Sequence, residues 1–305
     1  MKSILFFLCS CFPICLTAQQ LSESSHFNNA NFAYNPALTA TSDVLEAHAI
    51  YRQEWTGFDQ APRNISAGLQ YPIVNNNMGL GLHIAQDEVG AFQMTDIGIS
   101  YAYHVPIASN QLLSIGLAVH FDQYRFKENE VIATDGSDAL WVEGEDSQIQ
   151  TNAGIGVSYA TIGLNQFQKS YFFCSIGANQ IILNDVIFSG LSEAANFRRA
   201  IHAFVLIGYR FQLDYAQIEP SLQINNVAGN ITKFRFHLNY EMEDAFWVGF
   251  AIDSNVRVAF QGGVLIGEQR DGQFRIGAQV SYGTSTVTEA QGLGYSVFVG
   301  YSLWL

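Results

Sequence analysis

Cysteine is nearly missing from the body of this 305-residue chain: of four, Cys9, Cys11 and Cys15 lie near the start and Cys174 stands alone beyond them. The first three fall in a segment read below as removable, so no intramolecular disulfide forms in what remains. Cys174 lies in the alternating run Tyr171 to Ala178 and reads as a wall-packed thiol rather than a reactive one. Charge is scarce too, at 13% of residues, and it leans acidic, with 14 Lys and Arg against 27 Asp and Glu for a formal charge of −13. That balance argues against nucleic acid, whose phosphates need a basic face. No Pro-rich or Ser-rich linker divides the chain, so one domain is expected. Past the N-terminus there is no stretch of about 18 apolar residues, which disfavours an α-helical membrane protein.

The N-terminus itself places Lys2 before an apolar run, Ile4 to Leu16, followed by Thr17, Ala18 and Gln19. A short basic region, a hydrophobic region and a small residue for cleavage make residues 1–18 a signal peptide, so export from the cytoplasm is expected. A lipobox around Leu8 to Cys11 would truncate that hydrophobic region and is the weaker reading. Residues 19–43 then form an Asn- and Ser-rich segment with Phe27, Phe32 and Tyr34 interspersed, suited either to plugging a lumen or to docking a periplasmic partner, or else a flexible leader. Residues 44–305 are read as a wall.

What fills that wall is alternation. Tyr295, Val297, Val299, Tyr301, Leu303 and Leu305 occupy one parity of the last segment, while Gly294, Ser296, Gly300 and Ser302 occupy the other. Successive strand residues point to opposite faces, so one backbone separates two solvents. Repeated without an intervening helix, this is the pattern of an all-β protein, a transmembrane antiparallel up-and-down β-barrel, greasy outside and wet inside. The turn residues mark about fourteen strands, each near the ten residues that a tilted span needs. Their expected spans are Val44 to Arg52, Arg63 to Tyr71, Met78 to Gln86, Phe92 to Val105, Leu112 to Gln123, Gln148 to Thr161 and Ser170 to Asn179. Then follow Phe197 to Phe211, Leu213 to Asn225, Ile231 to Glu241, Ala245 to Ile252, Val256 to Ile266, Gln273 to Gly283 and Gly294 to Leu305. Short connections such as Val74 to Asn77 and Ala108 to Gln111 sort to one side, and long ones such as Gln53 to Pro62 and Tyr124 to Ser147 to the other. Charges keep the same parity: Lys233, Arg235 and His237 oppose Phe234, Phe236 and Leu238, and His48, His83, His104 and His120 are inward as well.

Early in the wall the chain carries Asn35, Pro36 and Ala37, then Tyr51, Arg52, Gln53, Glu54, Trp55, Thr56, Gly57 and Phe58 with Ala61 and Pro62, then Asn77, Met78, Gly79, Leu80 and Gly81. This order resembles the PorP/SprF family, outer-membrane proteins of the type IX secretion and gliding machinery of Bacteroidetes-type bacteria. Leu38, Thr39 and Ala40 after Ala37, and Glu54 in place of a second glutamine, depart from the usual family wording. The resemblance implies residence in the cell outer membrane, in contact with its lipid. It also implies partners among type IX secretion components, including a periplasmic peptidoglycan-associated one, and secreted proteins or an adhesin, with no catalysis and no cofactor. The family motifs mark Asn35, Pro36, Arg52, Glu54, Trp55, Phe58 and Pro62 as binding residues.

From the residues alone, Gln53 to Pro62 is either a docking loop or constriction, with Arg52 and Glu54 paired, or simply a folded cap on the barrel. The acidic stretch Glu128 to Asp146 suits a solvated loop better than a calcium site, since its spacing does not match an EF-hand. Inward histidines near Ser100 and Ser114 lack a nucleophile elbow, so polar filling of the lumen outweighs a hydrolase. Four histidines without Cys or carboxylates at metal spacing give no zinc site. A porin or transporter for small or lipophilic molecules is the alternative function that a barrel allows.

Overall fold

Alternation becomes geometry in fourteen long strands whose apolar parity faces outward. The computed structural model describes residues 27–127, 146–162, 170–188, 197–227, 229, 231–268, 271–283 and 292–305. A short helix α1 (Phe27–Tyr34) and a 3₁₀ turn (Pro36–Leu38) lead into β1 (Val44–Gln53), β2 (Arg63–Ile73), β3 (Met78–Val89), β4 (Phe92–Ala108), β5 (Gln111–Phe126), β6 (Gln150–Ala160) and β7 (Tyr171–Asn179). After two minimal strands, β8 (Asp185–Val186) and β9 (Phe197–Arg198), come β10 (His202–Gln212), β11 (Ala216–Val227), β12 (Ile231–Met242) and β13 (Phe246–Asp253). The last three are β14 (Arg257–Ile266), β15 (Gln273–Gly283) and β16 (Leu293–Trp304). Every long strand pairs antiparallel with its chain neighbour, β7 pairs with β10, and β16 returns to β1 from Val44↔Trp304 to Gln53↔Tyr295, closing the barrel. Closure removes the unpaired edges that an open sheet would leave.

The two faces separate as the parity requires. On β4, Ile97, Ile99, Tyr101 and Tyr103 are exposed while Asp96, Ser100, Ala102 and His104 are buried. Aromatic pairs such as Tyr209 with Phe211 and Phe274 with Tyr301 sit at the rim that bears Val44 and Trp304, the near rim, and Tyr51 packs with Tyr295 at the far rim. Such belts suit side chains with an apolar body and a polar tip at a lipid–water boundary. Among the described residues no helix is long and apolar enough to cross a membrane; the crossing elements are strands.

One expected strand is corrected. The run from Phe197 to Phe211 reads as continuous, yet Phe197 and Arg198 pair with Asp185 and Val186 in a separate two-stranded sheet, and the wall resumes only at His202. The reason is electrostatic: Arg199 leaves the wall to meet Asp122 on β5 at 2.6 Å, with both side chains almost wholly buried. Smaller differences occur at Gln148, which precedes β6, and at Leu213, which lies in a turn before β11. The signal region and most of the acidic stretch, Glu128 to Glu145, lie outside the described residues.

The inward face is polar as expected, with His48, Asn152, Gln223 and His237 among its buried residues, and part of it is also closely packed. Trp247 on β13 lies over Gly263 and Gly277, where a Cβ would collide with its ring, and the Arg275 guanidinium stands 5.6 Å from that ring. Phe298, only 1% exposed, stacks beside His48. Ile50 and Leu265 complete this dry cluster. Inward charges are tied to partners, Arg210 to Glu219 at 2.6 Å and Arg275 to Glu241.

Ile99→Arg places a charge mid-strand on the outer face and should lower the stability of the barrel in lipid by about 2–4 kcal/mol, whereas Ile99→Phe should leave it nearly unchanged. Denaturant midpoints in vesicles measure this, and equal midpoints for the two variants would contradict the outward assignment.

Candidate functional site

Before β1 the chain runs inside the barrel, and the local sequence dictates its shape. Pro36 disfavours helical backbone at the residue before it, so α1 stops at Tyr34 and Asn35 is extended, with φ −138° and ψ 104°. The Asn35 side chain then accepts from the Ala37 amide at 3.0 Å, capping the 3₁₀ turn that Pro36 starts. This turn rests on the inner wall. Gly116, Gly156 and Gly177 are register partners across β5, β6 and β7. A Cβ at Gly116 would run into the Pro36–Ala37 backbone, and one at Gly156 would strike the Asn35 amide. Gly79 likewise leaves room for the Thr39 carbonyl. The wall is bare of side chains where the plug backbone lies against it.

Polar contacts hold the plug to side chains of the wall. Asn179 donates to the carbonyls of Ala33 and Tyr34, both at 3.0 Å, Thr39 Oγ1 meets Ser100 Oγ at 2.9 Å, and the Ala40 amide donates to Gln70 at 2.8 Å. Phe32 sets its edge against His48 and His83, and Tyr34 packs on Phe204. Asn35 and Pro36 are buried in the middle of the barrel. Of the two uses weighed for residues 19–43, the described part, from Phe27 on, occupies the lumen.

The second group of motif residues lies elsewhere, at the far rim. Arg52, on the inner face of β1, donates to Glu54 at 2.9 and 2.6 Å, and Arg257 at the start of β14 reaches the other oxygen of the same carboxylate at 2.5 Å. Glu54 thus clamps the rim from two sides. Burial pushes its carboxyl pKa up, but Arg52 and Arg257 pull it down further, and the net shift is below the ordinary glutamate value. The loop that follows is folded: the Glu54 amide donates to Pro62, Thr56 to Leu293, and Phe58 to Trp55. Trp55 adopts left-handed backbone at φ +54°, an unusual conformation for a bulky residue and one that turns the chain sharply here. Phe58 is half exposed at 51%. The structure therefore joins Arg52, Glu54, Trp55, Phe58 and Pro62 in one rim element and keeps Asn35 and Pro36 apart from it, in the plug.

The inward histidines find polar neighbours. His104 Nδ1 lies 2.8 Å from Ser114 Oγ, and both residues are buried, at 2% and 1% exposed. His120 and His83 both approach Asp96, at 3.1 and 3.5 Å. Among the described residues no group of His, Cys, Asp and Glu is arranged to hold a metal ion. Asp146, at the end of the acidic stretch, pairs with Arg125 at 2.6 Å.

A closed barrel with a capped Asn-Pro-Ala plug and a clamped aromatic rim loop can be compared with known proteins. The family model described as type IX secretion system membrane protein PorP/SprF matches residues 16–301. The chain belongs to this family. Among solved structures this PorP/SprF member resembles the CymD monoaromatic hydrocarbon channel, with TM-score 0.56, 11% identity and coverage of 91% of this chain and 93% of that one. It also resembles the toluene transporters TodX of Pseudomonas putida (TM-score 0.54, 8% identity, covering 91% and 94%) and TbuX of Ralstonia pickettii (0.53, 10%, covering 91% and 94%). Identities this low show a common fold. No curated protein matches the chain.

In this PorP/SprF member the Arg52–Glu54 pair is one of the two alternatives that the residues offer for the rim loop, whereas the third member of the clamp, Arg257, lies 203 positions from Glu54 and has no local signal. Asn179 and Gly116 were missed too, and their only signal was inward parity. Glu54→Gln should loosen the rim locally by about 3 kcal/mol, the low end for breaking a buried ion pair, so that the Thr56 and Phe58 amides exchange on the order of a hundredfold faster while the β1 amides do not change. Because the folded-state pKa of Glu54 is depressed, its contribution is fully present above the ordinary glutamate value and is lost as pH falls through the lowered one. Wild-type exchange at Thr56 should therefore rise on acidification, after correction for intrinsic rates, and the E54Q variant should show no such rise.

Proposed function

We propose that this PorP/SprF protein is a non-catalytic docking component of the type IX secretion or gliding machinery, anchored in the outer membrane. The apolar outer face holds it in lipid, and the near rim, with its short turns and both ends of the wall, faces the periplasm and a peptidoglycan-associated partner. The far rim, with its longer loops, faces secreted proteins or an adhesin. Family membership supports the secretion role. The observation that carries docking over transport is the lumen itself, crossed by the chain's own segment from Asn31 to Ala40 and narrowed by the Trp247–Phe298 cluster. A barrel blocked in this way, with the plug seated, works through its rims. Likeness to hydrocarbon channels favours the transporter reading only as far as fold, which does not fix function.

The rim loop supplies the recognition element in this reading. Half-exposed Phe58 stands on a loop held by the Glu54 clamp and by a hydrogen bond from Thr56 to Leu293 of β16, so little ordering entropy remains to be lost when a partner binds. Phe58→Ala should leave the barrel folded, as judged by heat-modifiable migration, and lower recovery of secreted cargo with the protein from native outer membranes by about tenfold, the loss typical of a central aromatic contact. Unchanged recovery of secreted proteins and of envelope partners would contradict this role of the loop.

A further inference from the structure

The plug lies between two of the interior cavities. On its far side a pocket of about 50 Å³ is bounded by Ala33 and Tyr34 of α1 and by Asp87, Asp96 and Asp122 of the wall. On its near side a vestibule of about 210 Å³ is bounded by Phe32, Leu38 and Ala40 of the same segment and by Glu46, Arg210 and Glu219. The segment from Asn31 to Ala40 is thus the partition common to both. Its described polar contacts with the wall run through side chains or through single carbonyls and amides, and the strands complete their ladders with one another. The plug is therefore able to leave without breaking a rung of the barrel.

We propose that displacing the Asn35–Pro36 plug opens a conduction path for small cations along β3–β7, and that in its seated position the plug inhibits this activity. A ring of fourteen strands is wider than side chains alone fill, so a space remains once the backbone filler is gone. The other half of the lumen stays shut, because Trp247 and Phe298 are packed on the wall itself. The exposed path carries more carboxylates than arginines. Asp87, Asp96 and Asp122 line the far pocket, where Arg199 pairs with Asp122 and His83 and His120 approach Asp96, and Glu46 and Glu219 face Arg210 in the vestibule. Rings of carboxylate select cations. Glycines decide whether the plug is seated, since a methyl on Gly116 points into the Pro36–Ala37 backbone and one on Gly156 into the Asn35 side chain rather than into the wall.

The test is conductance of the full chain in planar bilayers under a KCl gradient, without partner proteins, so it reads this inference independently of docking. Wild type should be mostly closed. Gly116→Ala with Gly156→Ala, with folding verified by heat-modifiable migration, should raise mean current about tenfold, the factor that a 1.4 kcal/mol shift toward the unseated form gives, with a reversal potential set by potassium. Adding Thr39→Cys and Ser100→Cys in a Cys174→Ser background, where the two native hydroxyls are 2.9 Å apart, should abolish that current when oxidised and restore it on reduction. A folded double-alanine barrel no more conductive than wild type, a chloride-selective current, or a current unaffected by the oxidised lock would each overturn the proposal.

Discussion

Two solvents on opposite sides of one backbone are the constraint on which this molecule rests. Each strand residue either meets lipid, where an ionised group is costly, or meets the interior, where every polar group needs a partner. The wall satisfies both by strict period-two alternation, and closure from β16 to β1 leaves no edge to be satisfied. Those choices fix the outer surface and leave a second problem inside, since fourteen strands enclose more space than inward side chains fill.

Two devices solve that problem. Between β13 and β16 large side chains lie over glycine: Trp247 over Gly263 and Gly277, and Phe298 against Gly300 and His48. Between β2 and β7 the filler is main chain. The register row Pro72, Gly79, Ala102, Gly116, Gly156, Gly177 and Phe204 runs across seven strands with hardly a side chain at its centre, and the Asn35–Pro36 turn lies on that smooth bed. Packing backbone on glycine demands close fit, because one added methyl on either surface has nowhere to go. A plug fitted to its own barrel and a rim loop fitted to Glu54 describe the same economy, in which rigid parts leave the rims to meet other proteins.

Much of this was legible in the sequence. Parity gave the number of strands, the outward Ile97, Ile99 and Tyr101, and the inward histidines, because the penalty for a misplaced charge is local and repeats at each position. The Arg52–Glu54 pair was legible since opposite charges two positions apart at the end of a strand lie within reach of each other. What escaped depends on register or on distant partners. Gly79, Gly116, Gly156 and Gly177 carry no local signal of a shared role, and only cross-strand pairing aligns them into a bed. Arg257 closes the Glu54 clamp from across 203 positions, and Arg199 breaks an apparently continuous strand because of a carboxylate on β5 that no local pattern announces.

Function in this account follows from a wall turned toward lipid and an interior turned against its own plug, and both are readable on one strand. Spin labels placed singly from Ile97 to Tyr103 of β4, in a Cys174→Ser background in lipid vesicles, report contact with oxygen dissolved in the bilayer. The account predicts oxygen contact at Ile97, Ile99, Tyr101 and Tyr103, and no oxygen contact at Ser100 and Ala102, where the label faces the interior. Uniform oxygen contact along the strand, or oxygen contact confined to Ser100 and Ala102, would contradict it.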